Sequence, residues 1–187
     1  MMRIHAAALF LALLTSARAG IDFTPASGER SLDGVVFKQT LFHQDGRSIA
    51  YEPPRGWTLT GDASGLKLTP PNVSQAQATI EQSALAAPKS FDGATAKKLQ
   101  KQVLDSLPGE ASDVVLVSAE ESPLRINRHE TYSVHVIYNF YGEDFELSVL
   151  FANLPDTQLR FRAGARKADF ETVEREFRAS LFTLSWQ

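Results

Sequence analysis

Hydrophobic positions along most of the chain recur at every second residue, the period of a half-buried strand. Val35 to Phe42 is apolar and β-rich, Asp45-Gly46 is a turn dipeptide of the kind that closes hairpins, and Ser48 to Tyr51 makes the return strand. Pro53-Pro54-Arg55-Gly56 stops it, and Trp57 to Thr60 begins the next short strand. Gly61 and Gly65 bracket a turn before Leu66-Lys67-Leu68, and Gln75 to Gln82 alternates, with Ala76, Ala78 and Ile80 on one face.

The period changes between Asp92 and Leu107, where Ala96, Leu99, Val103 and Leu107 recur at helical spacing. Asp92 suits the N-cap, Phe91 and Ala96 can flank it as a staple, and Pro108-Gly109 ends the helix. Val114 to Ala119 and Leu124 to Ile126 return to strand character. The strongest pattern runs from Thr131 to Ala152, where Val134, Val136, Tyr138 and Phe140 alternate, as do Phe145, Leu147, Val149 and Phe151. A two-residue turn at Gly142-Glu143 would pair Phe140 with Phe145, Tyr138 with Leu147, Val136 with Val149 and Val134 with Phe151. The other face, with His135, Ile137, Asn139 and Leu150, is only partly apolar. Leu159, Phe161 and Ala163 continue the strand pattern, and Phe170, Val173, Phe177 and Leu181 form the stripe of a closing helix.

Antiparallel strands with two amphipathic helices predict an α+β fold, an antiparallel β-sheet flanked by helices. The mixed second face of the central hairpin admits a helix on each side, an α/β/α three-layer sandwich.

The first residues read differently. Met1-Met2-Arg3 is a short positive segment, Ile4 to Leu14 is an apolar run, and Ala17-Arg18-Ala19 has the small-x-small form that signal peptidase accepts. Residues 1–19 are therefore expected to be a Sec-type signal peptide cleaved after Ala19, and the protein to be periplasmic or secreted. The apolar run is shorter than the roughly 20 residues of a membrane span, and no later segment reaches that length. Residues 20–34 are polar and weakly patterned, the expectation for a flexible leader. Residues 35–187 then form a single α+β domain.

Composition narrows the function. At 43% hydrophobic and 22% charged residues the chain is globular in character, not disordered. A net charge of −3 argues against a nucleic-acid binder. Without cysteine there is no disulfide framework, thiol nucleophile or Cys-ligated metal.

Tyr51-Glu52-Pro53-Pro54-Arg55-Gly56-Trp57 after a hairpin and Ala78-Thr79-Ile80 on the next long strand resemble the PsbP-like superfamily, which includes the bacterial DcrB-like exported proteins. The aromatic hairpin from Tyr132 to Phe151 and the closing segment with Asp169-Phe170, Phe177, Ser180-Leu181 and Trp186 belong to the same resemblance, which spans about residues 35–186. It implies an antiparallel sheet flanked by helices and, for activity, non-catalytic binding or assembly. The plant members serve photosystem II, and no motif residue here carries that role over.

Motifs that carry chemistry are scarce in the chain. There is no G-x-G-x-x-G, Walker A, H-E-x-x-H or EF-hand pattern. His129 and His135 share strand parity but would lie about 20 Å apart along one strand, too far to share a metal. No catalytic residue, metal site or cofactor is predicted. Tyr51 and Trp57 bracket the Pro-Pro turn as an aromatic corner, read first as core packing and second as a ligand platform. Charge is uneven: residues 109–157 hold nine acidic and two basic groups. Glu120, Glu121, Glu143, Asp144 and Glu146 are the candidate acidic interaction face, suited to a basic protein partner in the envelope, to a divalent cation or to simple solvation. The sequence thus predicts an exported non-catalytic accessory or binding protein, the alternative being an envelope hydrolase whose site assembles only in three dimensions.

Overall fold

A computed structural model describes residues 20–87 and 90–187. The expected signal peptide and its cleavage point lie outside the described residues. The elements run β1 (Asp22–Leu32), β2 (Val35–Gln44), β3 (Arg47–Tyr51), β4 (Thr58–Gly61), β5 (Gly65–Thr69), β6 (Gln77–Ala84) and α1 (Gly93–Asp105). Then follow β7 (Ser112–Ile126), β8 (His129–Phe140), β9 (Glu143–Asn153), β10 (Thr157–Arg166), α2 (Lys167–Leu181) and β11 (Ser185–Trp186). The strands make a seven-stranded sheet in the order β4-β5-β6-β10-β9-β8-β7 and a four-stranded sheet in the order β1-β2-β3-β11, paired antiparallel throughout.

The large sheet has two apolar faces, and β9 alternates between them with two apolar sets. Val134, Val136, Leu147, Val149 and Phe151 pack with Leu99 and Val103 of α1 on one face. Leu150, Ala152, Phe161 and Ala163 pack on the other with Phe170, Val173 and Phe177 of α2 and with Phe42, Ile49 and Tyr51 of the small sheet. A helix thus lies on each face, and the fold is α+β. α1 starts where its sequence indicates: the Thr95 amide donates to the Asp92 side chain at 2.8 Å, satisfying one of the donors left open at a helix start.

Three expectations are corrected. Residues 20–34 do not form a flexible leader: β1 pairs with β2 from Asp22 to Leu32, and Ile21 and Phe23 are buried in the core. Only these first residues pay in burial, which is why the segment lacks an alternating pattern. The two short strands read around Ser118 and Ile126 are one edge strand, β7, interrupted by register shifts. Pro123 fits inside it because an edge strand has amides that need no ladder partner.

The third correction is the hairpin register. Tyr138 faces Phe145, Val136 faces Leu147, Val134 faces Val149, and Phe140 faces Glu143, two residues from the expected pairing. A slip of two leaves every side chain on its own face, so the apolar pattern cannot distinguish the two registers. The turn decides. Tyr141 and Gly142 both have positive φ, +51° and +83°, the signature of a type I′ turn. Asn139 Oδ1 accepts the Gly142 amide at 2.9 Å, and the Tyr138 and Phe145 rings stack with centroids 5.7 Å apart.

Tyr141 occupies the left-handed region with an exposed side chain and no helpful backbone preference. Tyr141→Asn supplies the Asn-Gly pair that a type I′ turn favours, and is expected to stabilise the fold by about 0.5–1 kcal/mol. A higher urea midpoint at unchanged m value is the readout; an unchanged or lower midpoint contradicts this turn.

Candidate functional site

Because β7, β8 and β9 extend past α2 on its side of the sheet, a cleft of about 570 Å³ opens between α2 and these strands. Strand alternation supplies its floor: Ser133 and His135 from β8, Glu146 and Ser148 from β9. Glu120 and Glu121 stand at its rim on β7, and α2 contributes Lys167, Phe170, Glu171, Glu174 and Arg178.

At its centre His135 Nε2 lies 2.8 Å from Glu146 Oε2. The imidazole is stacked on Phe170, with centroids 5.1 Å apart and planes 13° from parallel. Both side chains are largely covered, so the ring is held by the carboxylate at its edge and the phenyl at its face. Arg178 is held the same way, by Glu174 at 2.7 Å, and donates to Ser133 Oγ at 3.3 Å. Ser148 lies directly across the ladder from His135, and Ser118 lies across from it on the other side. Among the described residues, no hydrogen bond joins a serine hydroxyl to the imidazole.

The five acids of the candidate face do not share one surface. Glu120 and Glu146 face the cleft, while Glu121 borders it but pairs with Tyr132, which puts its side chain on the α1 face. Glu143 and Asp144 sit at the hairpin tip outside it, where Glu143 pairs with Arg166 at 2.8 Å and Asp144 accepts from Asn139 at 3.2 Å. Glu171 and Glu174, which lie outside the acidic block of sequence, arrive from α2. Residues far apart in sequence thus make the acidic cleft.

The Tyr51–Trp57 corner is part of the core. Tyr51 is fully buried and Trp57 is 7% exposed. Ser180 donates to the Phe177 carbonyl at 2.6 Å, which leaves its oxygen to accept the Tyr51 hydroxyl at 2.7 Å. Trp57 Nε1 donates to Glu176 at 3.0 Å, and the Glu52 amide to Thr183 at 2.9 Å. The Pro-Pro turn is thereby locked to the C-terminal half of α2. Burial pushes the Tyr51 hydroxyl well above its ordinary pKa, against a smaller opposing effect of the Ser180 bond. Among the described residues no group of three or more His, Asp or Glu side chains is placed to hold a metal ion. No helix there is long and apolar enough to cross a membrane.

No family model matches the chain, and no curated protein matches it. Solved structures do show likeness. One is LpqN, involved in cell envelope biogenesis of Mycobacterium tuberculosis, at 15% identity and a TM-score of 0.49, covering 89% of this chain and 91% of that one. Another is the cyanobacterial PsbP of a Synechocystis species, at 12% identity and a TM-score of 0.49, covering 88% and 93%. A third is a protein of unknown function from Pseudomonas aeruginosa, at 16% identity and a TM-score of 0.48, covering 85% and 96%. The chain also matches a Bacteroides thetaiotaomicron protein, but spans only 45% of that protein's length. These likenesses, at 16% identity or less and TM-scores of 0.49 or less, assign neither a family nor a function to the chain.

Tyr51 offers a direct test of the corner. Its raised pKa means that the neutral hydroxyl is favoured in the fold. Its contribution is complete below the unfolded value of about 10 and is lost as pH rises above it, by up to about 1.4 kcal/mol per pH unit. Tyr51→Phe should cost about 1 kcal/mol at pH 7 and be no less stable than the parent near pH 11. Urea unfolding at both pH values tests this; a variant that stays equally destabilised at pH 11 contradicts it.

Proposed function

We propose that the chain is an exported, non-catalytic binding protein of the cell envelope that receives a basic segment of a protein partner in the cleft between α2 and β7–β9. One observation carries this reading. Four carboxylates face the cleft, Glu120, Glu146, Glu171 and Glu174, against the two cations Lys167 and Arg178. Glu146 and Glu174 are engaged with His135 and Arg178, which shapes the floor. Glu120 and Glu171 are exposed and lie where an incoming lysine or arginine would meet them. Charged rims of this kind accelerate encounter and select partners more than they add raw affinity. Export is supported by the apolar run Ile4 to Leu14 and the small-x-small segment Ala17-Arg18-Ala19 that follows it.

A hydrolase is the second reading, and a specific geometry favours it: a His–Glu pair with Ser118 and Ser148 opposite the histidine on neighbouring strands. A nucleophile requires its hydroxyl on the free ring nitrogen. The ring instead lies flat on Phe170, and Arg178 bonds the nearby Ser133.

A fluorescent oligolysine peptide is the probe for the first reading. The double variant Glu120→Gln, Glu171→Gln should bind it at least tenfold more weakly at low salt, with the difference vanishing at high salt. Equal binding by the variant contradicts the docking mode. Turnover of an esterase, phosphatase, glycosidase or peptidase substrate, abolished by His135→Gln, would overturn the non-catalytic reading instead.

A further inference from the structure

The opposite face of the large sheet carries a second recess. α1 covers β8 and part of β7 and β9, and leaves the face over β5, β6 and β10 open. A groove of about 430 Å³ lies there, within the range of small-molecule sites. Its two sides differ in chemistry. Tyr138, Phe145 and Leu147, with Pro108 beyond the end of α1, form an apolar wall. Lys67, Thr79 and Arg162 form the polar side, and no carboxylate lines the groove. In an acidic protein that is a pointed departure.

Arg162 is the feature that calls for a ligand. Four arginines among the described residues are half-buried: Arg160, Arg162, Arg166 and Arg178. Arg160 is paired with Glu81, Arg166 with Glu143 and Arg178 with Glu174. Arg162 has neither an ion pair nor a side-chain hydrogen bond with a described residue. Glu81, the nearest carboxylate to influence it, is already held by Arg160. Burial and the neighbouring Arg160 both act against its charge. A half-covered guanidinium with five donors and no acceptor is costly to keep unless something supplies the acceptor.

The apolar wall indicates the rest of the ligand. The rings of Tyr138 and Phe145 are stacked, and Phe140 meets Phe145 edge-on with centroids 6.0 Å apart. Such a surface favours another flat ring. Gly164 lies on β10 in the same groove, two residues beyond Arg162. A Cβ there would meet Leu147 at 3.6 Å, an ordinary contact, so the glycine leaves open floor without being demanded by its backbone.

We infer that this groove binds a small organic anion, a single carboxylate on a flat aromatic body, with the carboxylate on the Arg162 guanidinium and the ring against Tyr138 and Phe145. A carboxylate offers two oxygens to the planar fork of arginine, and Lys67 adds a second cation at the mouth. The site is independent of the acidic cleft, which lies across the sheet.

Isothermal titration with naphthoate, and with naphthalenemethanol as its neutral counterpart, tests the assignment. The intact protein should bind naphthoate with a measurable Kd below millimolar and the alcohol at least tenfold more weakly. Arg162→Met should abolish that preference, and Gly164→Val, which fills the floor, should weaken both compounds. The Glu120→Gln, Glu171→Gln double variant should bind naphthoate as the parent does, which separates failure of this site from failure of the cleft. No naphthoate binding by the parent overturns the proposal. So does undiminished naphthoate binding by Arg162→Met or, should that variant not fold, by Gly164→Val.

Discussion

Strand β9 is bonded to β8 over ten residue pairs and has apolar residues on both faces, and the remaining structure is organised by that double burial. From Leu147 to Asn153 every residue of β9 is buried. A strand of that kind cannot stand at an edge or face solvent. It requires a layer on each side, which α1 supplies on one and α2 with the small sheet on the other. Each fully buried Val, Leu or Phe contributes on the order of 1.5–3 kcal/mol, so a one-residue slip that exposed one set would cost far more than any turn could recover.

Both recesses follow from how these layers fall short of the sheet's edges. α2 crosses β9 and β10 and leaves the β7 side open, where the edge strand and the helix face each other across a wet, acidic cleft. α1 sits over β8 and leaves the β10 side open, where Arg162 and the aromatic wall meet. One sheet thus presents two recesses of opposite charge on opposite faces. The small sheet helps to hold α2 in place, since Tyr51 reaches Ser180 and the backbone of Glu52 is bonded to Thr183.

The fold class was legible because it depends on periodicity. The helices and most strands lie where Leu99 and Val103, Phe170 and Phe177, or Val134 and Val136 signal them. β1 was not legible, because only Ile21 and Phe23 of that region reach the core and the rest of the strand is largely exposed. The site was half legible. The acidic block pointed to Glu120 and Glu146, but could not separate them from Glu121 on the α1 face or from Glu143 and Asp144 at the hairpin tip. The His135–Glu146 pair was hidden by register. With the turn at Gly142-Glu143, Glu146 would face Asn139, four residues from His135. In the structure it faces Ile137, a diagonal neighbour within side-chain reach. Arg162 carried no sequence signal, since its meaning lies in which carboxylates its neighbours have already taken.

The cleft therefore depends on the β8–β9 register, and a chain without cysteine allows that register to be read directly. Asn139 and Asp144 form the second pair from the turn, a position where Cα atoms approach to about 4.5 Å, close enough for a disulfide. Under mild oxidation the Asn139→Cys, Asp144→Cys variant should cross-link rapidly and retain its melting temperature, while Asn139→Cys, Glu146→Cys should cross-link poorly. The reverse order would place Glu146 opposite Asn139, separate it from His135 and contradict the cleft as described.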